Sequence, residues 1–441
     1  MKTRAVSSRT SGTSWSQLIS EHYSVRLDDS LADWWDEELW CGQGSGEFRI
    51  PVAPSSLLVP APEILWPGLM PPDTLPIIGN GHGDWLCLRI GRDNQVTEIL
   101  QWYHGGGDWL PWGRTLAEAF LFDSLRNLLP GRRREHAISA EPSVQRSVDN
   151  PWFRWALGWF PELSSESPEN LVSSTLADVF LSNHIAEIAV RCELTIDALD
   201  CGLRELLSPE VARRLNVPWE PDVVSWLFDS ELMANWTLAE PVRRMRDSLV
   251  CEQDWQAAVF HASQVAQLRS DLLWPHDVQG WFAERRGDYQ LAADHYGLGR
   301  MAFAFTDQSI RFRTHWFPQT MGKFSLWRLQ QLRLEGKCPG AFPADVEEYL
   351  QVLQSNRAAS PRAAVTHYWN RIAATALKSG QFNDAYEAYY RGGWDLGVDR
   401  MIGYRGQLSG LIDAAEQDGQ IARAKVARAH LQALRVRFGD G

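Results

Sequence analysis

Apolar residues follow two spacings along the chain, that of strands and that of helices. Strand-like runs lie before about residue 150, and beyond it helical spacing dominates. Within residues 74–104 lie three short runs typical of strands, the β-branched TLPII, then DWLCLRI and QVTEILQWYH, which the segments GNGHG and GRDN separate. In the second run Leu86, Leu88 and Ile90 share one face, as the side-chain alternation of a strand requires. The pattern predicts a three-stranded antiparallel meander.

Helical spacing precedes this meander in two segments. The first, TSWSQLISEHY, predicts a helix that Thr13 or Ser14 caps. The second, DDSLADWWDEELW, predicts another helix, in which Asp28 or Asp29 accepts hydrogen bonds from the free N–H groups of the first turn. Two N-terminal helices are therefore expected.

The segments on either side of the meander carry weaker signals. Residues 41–76 are rich in glycine and proline; within them EFRIPV predicts an edge strand and PSSLLVP at most one helical turn. After the meander, GGGDWLPWG at 105–113 predicts a loop. The next segment, TLAEAFLFDSLRNLLPG, predicts a helix with a capping box from Thr115 to Glu118 and a stop at its final Pro-Gly.

The glycines of residues 79–83 raise the question of a phosphate-binding loop. Such loops lead from a strand directly into a helix, whose N-terminal N–H groups face the anion. Here the glycines lie between two predicted strands. The sequence therefore predicts a hairpin turn in which glycine supplies positive φ angles, and it argues against a nucleotide site.

Beyond Pro151 helical spacing dominates, and a short pattern recurs. The pattern Gly-x-aromatic-x-x-Ala-x-x-x-Tyr begins at Gly287 and again at Gly380, with a looser copy at Gly419 and a copy lacking glycine at Gln253. Gln253 and Gly287 are 34 residues apart, which is the period of the tetratricopeptide helical hairpin, and these segments resemble that repeat. Glycine lets the turn between helices close, and alanine lets a neighbouring helix approach. The alternative is a set of unrelated helical hairpins.

Together these patterns predict an α+β N-terminal domain, with an antiparallel meander sheet flanked by helices, followed by an all-α helical-repeat domain. Residues 1–14 are expected to be a disordered tail, and the α+β domain spans 15–130. The polar, basic stretch 131–150 is expected to be a linker. The helical part divides into a helical region, 151–245, and tetratricopeptide-like repeats, 246–441.

The order of motifs across residues 15–130 resembles the SUKH superfamily, which includes cell-wall-assembly regulators of the Smi/Knr type and many bacterial immunity proteins. The resemblance rests on Trp15 and on the segments RLDDSLADWW, LPIIGNGHGDWLCLRI, VTEILQWYH and TLAEAF. Two departures are Asp28, which stands where the family's helix motif usually has proline, and the long proline-rich segment 41–72. The resemblance implies recognition of a protein partner, most often a toxin domain that is neutralised by occlusion.

Composition narrows the classes of function. The net charge of −12 argues against a nucleic-acid-binding surface, which relies on clustered lysine and arginine. The same charge is explained by solubility alone or by an acidic face for a basic partner. The six cysteines lie far apart without metal-site spacing, which favours reduced thiols in a cytoplasmic protein. No apolar run is long enough to span a membrane, and residues 1–12 lack the apolar core of a secretion signal.

A few polar residues could carry chemistry. His82, Asp84, His104 and Asp108 lie on turns or strand ends, where they could converge as metal ligands or as an acid–base pair. The alternative is that Asp84 and His104 satisfy turn and sheet backbone groups. His184 and Glu187, one helical turn apart, are interpreted as surface or intrahelical contacts. The sequence contains no nucleophile elbow, zinc-protease helix motif or Walker lysine, so no catalytic residue, metal or cofactor is predicted.

The segment WYHGGGDWLPWG, residues 102–113, is the better candidate for recognition. Its aromatic side chains on or beside a glycine-rich loop would form a surface of the kind that partner proteins bind. The alternative is that Trp102 and Tyr103 belong to the core while Trp109 and Trp112 fold back over the sheet. The candidate partner-binding residues are Trp102, Tyr103, His104, Asp108, Trp109, Trp112, His82 and Asp84.

The sequence therefore predicts a non-enzymatic protein-binding module, with an immunity protein that binds a bacterial toxin domain as the first hypothesis. A regulatory or scaffold protein that assembles partners through the same surfaces is the second. A hydrolase with His82, Asp84 and His104 at its centre is the third, from a different class. Neither a nucleic acid nor a membrane is an expected partner, and the oligomeric state stays open.

Overall fold

The computed structural model describes residues 13–44, 46–126, 150–161, 163, 252–306, 323–338, 340–354 and 361–439. Residues 1–12 of the predicted N-terminal tail, the linker up to residue 149, most of the helical region 151–245 and the His184–Glu187 pair lie outside the described residues; Thr13 and Ser14 are described, and Ser14 caps the first helix. Among the helices that the structure describes, none is long and apolar enough to cross a membrane.

The two N-terminal helices form where the capping residues predict them. Helix α1 spans Trp15–Tyr23, and the side chain of Ser14 accepts from the backbone N–H of Gln17 at 3.2 Å. Helix α2 spans Asp29–Asp36, and the Asp28 carboxylate accepts from the N–H of Leu31 at 3.1 Å. Both caps satisfy a donor that the helix itself leaves free.

A five-stranded antiparallel sheet follows in the order β1-β2-β3-β4-β5. The meander predicted from alternation is confirmed as strands β2, β3 and β4. The predicted edge strand in EFRIPV reduces to the two residues of β1, and the turn in PSSLLVP is helix α3 at Pro54–Leu57. The strands are β1 Ile50–Pro51, β2 Thr74–Gly79, β3 Trp85–Ile90, β4 Val96–Trp102 and β5 Trp109–Gly113.

The prediction of a loop over 105–113 is wrong in its second half. Residues 109–113 form β5, in which Trp109 pairs with Trp102 and Leu110 pairs with Gln101. Pro111 has no backbone N–H and so cannot donate to a ladder. At the edge of a sheet that missing donor is tolerated, and β5 is an edge strand.

Two further helices close the aromatic core on this side of the sheet. Helix α4, Leu116–Arg126, starts with the predicted capping box: the Thr115 hydroxyl accepts from the N–H of Glu118 at 3.2 Å, and the Glu118 carboxylate accepts from the N–H of Arg114. Helix α5, Pro151–Gly158, carries Trp152, whose ring lies 5.7 Å from Trp34 and 4.9 Å from Phe120.

The C-terminal part is helical throughout the residues described. Three helix pairs, α7–α8, α11–α12 and α13–α14, turn at Gly287, Gly380 and Gly419, whose φ angles are +77°, +71° and +74°. These positive angles are the reason for glycine at the predicted positions. The helices are α6 Glu252–Leu268, α7 Trp274–Arg285, α8 Tyr289–Leu298, α9 Phe324–Leu334, α10 Ala344–Gln354, α11 Pro361–Lys378, α12 Phe382–Trp394, α13 Tyr404–Gln417 and α14 Ile421–Phe438.

The C-terminal helices pack directly on the sheet. The indole N–H of Trp394 donates to the carbonyl of Met70 at 2.9 Å, and the Nε2–H of His430 donates to the carbonyl of Thr74 at 2.9 Å. All six residues of β2 are buried, as expected for a strand covered on both faces. The buried apolar side chains of the sheet and of these helices form one continuous cluster.

A buried ion cluster joins the sheet to the helices. Arg89 on β3 lies with its Nε 3.0 Å from Asp73 Oδ2 and with its Nη1 2.9 Å from Glu98 Oε1. Arg269, which follows α6, contacts Glu98 at 2.7 Å and Asp271 at 2.9 Å. Burial raises the pKa of Asp271, but the two guanidinium groups outweigh it and hold that pKa well below the ordinary value. The cluster therefore stays charged when it is buried.

Two glycines in helix interiors give a matched test of this packing. A Cβ at Gly280 on α7 would overlap the ring of Tyr296, which is buried and donates to Glu284 at 3.1 Å, whereas a Cβ at Gly406 on α13 meets nothing within 4 Å. We expect Gly280→Ala to lower the free energy of unfolding by about 1–3 kcal/mol. Gly406→Ala should raise it by up to about 1 kcal/mol, because alanine is the better helix former. Urea unfolding of both variants measures the difference, and equal effects would contradict this packing.

Candidate functional site

The turn between β2 and β3 is held by a single asparagine side chain. The Asn80 Oδ1 accepts from the backbone N–H groups of His82 at 2.8 Å and Asp84 at 3.2 Å. Gly81 and Gly83 take φ angles of +85° and +105°, which other residues rarely adopt. The glycines of 79–83 therefore reverse the chain between two antiparallel strands, as predicted, and no helix begins at this turn.

Asp84 connects this turn to the end of β4. Its Oδ1 accepts from the backbone N–H of His104 at 3.1 Å and lies 3.1 Å from the Nδ1 of the same residue. Its Oδ2 accepts from the Asn80 side chain at 2.9 Å. The His104 ring lies against Gly83, where a Cβ would come within 2.8 Å of the ring. Asp84 therefore accepts from the backbone, as the alternative interpretation expects, and its carboxylate also contacts the His104 ring.

The four polar candidates do not converge. His82 is exposed, and its backbone is held by Asn80. Asp108 is buried in the turn between β4 and β5, where its carbonyl accepts from the N–H of Tyr103 at 2.8 Å. Within the part of the chain that the structure describes, no group of three or more His, Cys, Asp or Glu side chains is arranged to hold a metal ion.

The aromatic surface predicted for 102–113 is not formed, and the alternative, in which these rings belong to the core, is what the structure has. Trp102, Tyr103, Trp109 and Trp112 are all at most 9% exposed. Trp102 donates to the carbonyl of Leu69 at 3.2 Å. Because β5 is a strand and not a mobile loop, its side chains alternate into the packed layers on both faces of the sheet.

The packing partners of these rings explain their burial. Trp109 lies 6.3 Å from Phe303 of the helical part, and the Arg89 guanidinium stacks 4.8 Å from its ring centre. Trp112 lies 4.9 Å from Phe122. The contact of Trp109 with Phe303 joins residues far apart in sequence, so the local pattern of residues 102–113 gave no sign of it.

What remains exposed near the turn is a small surface at the ends of the hairpins. We call it the hairpin rim and define it by Ile50, His82, Asp84 and His104. Ile50 is 47% exposed and packs against Gly81, where a Cβ would lie 3.0 Å from its Cδ1. The His104 side chain is 46% exposed. Ile50 was not among the candidates predicted from the sequence, because an apolar residue within EFRIPV indicates a strand and does not indicate whether its side chain is exposed.

Lys323, whose pKa is shifted, and its partner Asp395 form a second charged site, and their role is structural. Burial lowers the pKa of Lys323, and its Nζ contacts Asp395 at 2.5 Å and donates to the carbonyl of Arg300 at 3.0 Å. Asp395 also accepts from Tyr349 at 2.7 Å and Trp369 at 2.8 Å. Lys323 and Asp395 are both buried among the described residues, so we assign the pair to the packing of the helices.

The hairpin rim is therefore a surface with one exposed apolar side chain and two exposed imidazoles, held in place by the largely buried carboxylate of Asp84. It can present hydrogen-bond donors, acceptors and an apolar contact to another molecule. The chain was compared with protein-family models, with curated proteins and with solved structures, and none of the three comparisons found a match.

Proposed function

We propose that this chain is a non-enzymatic protein-binding module that acts as an immunity protein, neutralising a bacterial toxin domain by binding it. The SUKH resemblance of residues 15–130 supports a protein partner. Tetratricopeptide-like hairpins would supply a helical scaffold beside the sheet; the glycine turns at 287, 380 and 419 and the buried Ala292 and Ala385 support that view.

The hairpin rim carries this proposal. Binding residues are commonly found on loops that a rigid scaffold positions. Here Asn80 fixes the turn and Asp84 connects it to the end of β4. The turn belongs to a five-stranded sheet, which provides the rigid scaffold. The buried tryptophans of β4 and β5 support the rim from below and do not contact the partner.

Charge favours a basic partner. The chain carries a net charge of −12. Opposite net charges steer encounter and raise association rates, and they disfavour partners of like charge. A basic nuclease-type toxin domain fits this requirement. A scaffold or regulator would use the same surfaces with several partners in place of one stoichiometric toxin.

One observation favours a candidate from a different class. The 3.1 Å contact of Asp84 with the His104 Nδ1 would orient an imidazole for general-base catalysis in a hydrolase. A purified chain that turns over a substrate, and loses turnover in His104→Ala while its fold is intact, would favour this hydrolase over the binding module.

The test uses two exposed aliphatic residues as a matched pair. Ile50 in the rim is 47% exposed, and Val59 outside it is 42% exposed. The full chain is co-expressed with candidate basic toxin domains, and the test uses one that it protects against. We expect Ile50→Asp to weaken protection and affinity by about tenfold or more, because a carboxylate replaces an apolar contact at the centre of the interface.

The matched control is Val59→Asp, which should leave protection and affinity within about twofold of the wild type. Circular dichroism checks that both variants fold. Equal losses for the two variants, or none for either, would exclude the hairpin rim as the binding surface.

A further inference from the structure

A cavity of about 350 Å³ lies in the helical part, away from the hairpin rim. Helix α8 and the turn after it form one wall, Leu329 of α9 forms the floor, and the segment leading into α10 forms the other wall. An apolar protein cavity of about 150 Å³ can hold a benzene molecule, so this space accommodates one or two large side chains. We call it the α8–α10 groove.

The groove is apolar inside and acidic at its rim. Leu329 and Val346 are buried in it, and Leu298 at its mouth is 54% exposed. A single exposed leucine is ordinary on a protein surface, but here it lies beside an open apolar cavity, and together they offer a place for an apolar side chain of another molecule.

One carboxylate at the mouth lacks a cation. Asp294 accepts from the side chain of Gln290 at 3.0 Å, and no lysine or arginine of the described residues forms an ion pair with it. Asp345 on the opposite wall is already paired with Arg300, and the Arg333 guanidinium behind Phe342 is paired with Glu347. The surplus charge at the mouth is therefore negative and belongs to Asp294.

We propose that the α8–α10 groove binds a short segment of a partner protein that inserts a phenylalanine or leucine side chain and places a lysine or arginine next to Asp294. The apolar anchor supplies most of the binding energy, since burying such a side chain is worth far more than an exposed ion pair. The lysine or arginine next to Asp294 makes the groove prefer apolar segments that carry a basic residue over those that do not. This rests on the proposed function only in that the ligand belongs to a protein.

The chain offers a matched pair of variants at one position. Gly297 lines the groove within the wall formed by α8, and a Cβ there would lie 3.7 Å from Val346, an ordinary contact. Gly297→Ala is therefore a conservative control. Gly297→Leu extends a side chain into the cavity and fills it. Both replace glycine within a helix, so both should retain the fold.

The probes are three labelled peptides whose binding to the full chain is measured by fluorescence anisotropy. GSKFLKSG should bind with a Kd of about 1 mM or tighter. GSKSSKSG should bind at least about tenfold more weakly because it lacks the apolar anchor. GSEFLESG should bind at least about threefold more weakly because its charges face Asp294.

The variants connect that binding to the groove. Gly297→Leu should weaken the binding of GSKFLKSG at least about tenfold, Gly297→Ala by less than about twofold, and Asp294→Asn about threefold. The proposal is overturned if GSKFLKSG shows no saturable binding up to about 5 mM, if Gly297→Leu leaves its affinity unchanged, or if GSEFLESG binds equally well.

The peptide assay does not involve the natural partner, so the two proposals can fail separately. A rim variant, Ile50→Asp, should keep full peptide affinity because Ile50 lies on the other part of the chain. Peptide binding without any protein partner would overturn the proposed function alone. Partner binding without peptide binding would overturn the groove alone.

Discussion

Replacing Arg89 with methionine is expected to lower the free energy of unfolding by about 3–5 kcal/mol, because removing one partner of a buried ion cluster leaves the other charges uncompensated. Asp73 is fully buried and lies 3.0 Å from Arg89 Nε, and the Glu98 side chain is only 6% exposed. In the variant both carboxylates lose that guanidinium, and the stacking of its charge on Trp109 is lost as well. Urea unfolding measures the loss.

Arg92→Met is the matched control for Arg89→Met. Its side chain is 63% exposed, and its 3.2 Å contact with Asp418 is a surface ion pair, so a change within about 0.5 kcal/mol is expected. If Arg89→Met does not fold, Arg89→Lys retains the charge without the planar fork and should show a smaller loss. Equal stability of Arg89→Met and Arg92→Met would contradict a role for the ion cluster in holding the helices on the sheet.

The second large expected effect is acid sensitivity that originates at His430. Burial lowers the pKa of this residue from 6.5 to about 4, although the hydrogen bond to Thr74 and the Asp73 carboxylate act in the opposite direction. In the unfolded chain the imidazole takes up its proton near pH 6.5. The neutral, buried imidazole therefore costs the fold no stability above about pH 6.5. As the pH falls from there toward about 4, the unfolded chain binds the proton first, and the free energy of unfolding drops by about 3 kcal/mol in total.

The measurement is the free energy of unfolding at about pH 7 and about pH 4.5. His430→Gln retains a donor for the Thr74 carbonyl and removes the titration, so it should lose about 2–3 kcal/mol less than the wild type between these pH values. Burial also lowers the pKa of His276 to about 4, so some acid sensitivity remains in the variant. The exposed control His367→Gln should follow the wild type. A wild-type slope in His430→Gln would contradict the buried, neutral state of this histidine.

The helix caps, turns and strands that could be predicted from the sequence are those that depend on neighbouring residues in the chain. The cap of α2 at Asp28, the capping box at Thr115 and the turn glycines at 81, 83 and 287 each depend on a few neighbouring residues. The meander β2, β3 and β4 could be predicted because β-branched runs, the alternation in β3 and the turn segments between them are all visible within short stretches of sequence.

The features that were missed depend on contacts between distant segments. The tryptophan of β5 at position 109 is buried against Phe303, almost two hundred residues later. Arg89 interacts with Arg269's partner Asp271 and with the hydroxyl of Tyr390. No local pattern connects these positions, so the sequence indicated an exposed aromatic loop where the fold has a covered edge strand.

The same difference between local patterns and distant contacts explains which residues of the candidate site were predicted. Asp84 and His104 were predicted as possible neighbours because both lie on turns or strand ends of one meander, and the structure places them in contact. Ile50 escaped notice because its exposure depends on how the short β1 lies along β2. The buried tryptophans and the exposed isoleucine are both consequences of pairing at the two sheet edges.

The most direct test of protein binding through the hairpin rim is calorimetric titration of the full chain with a candidate basic toxin domain against which it protects cells. We predict a one-to-one complex whose Kd rises by about tenfold or more in Ile50→Asp and stays within about twofold in Val59→Asp. An unchanged Kd in Ile50→Asp, or the absence of any complex together with turnover that depends on His104, would contradict the account.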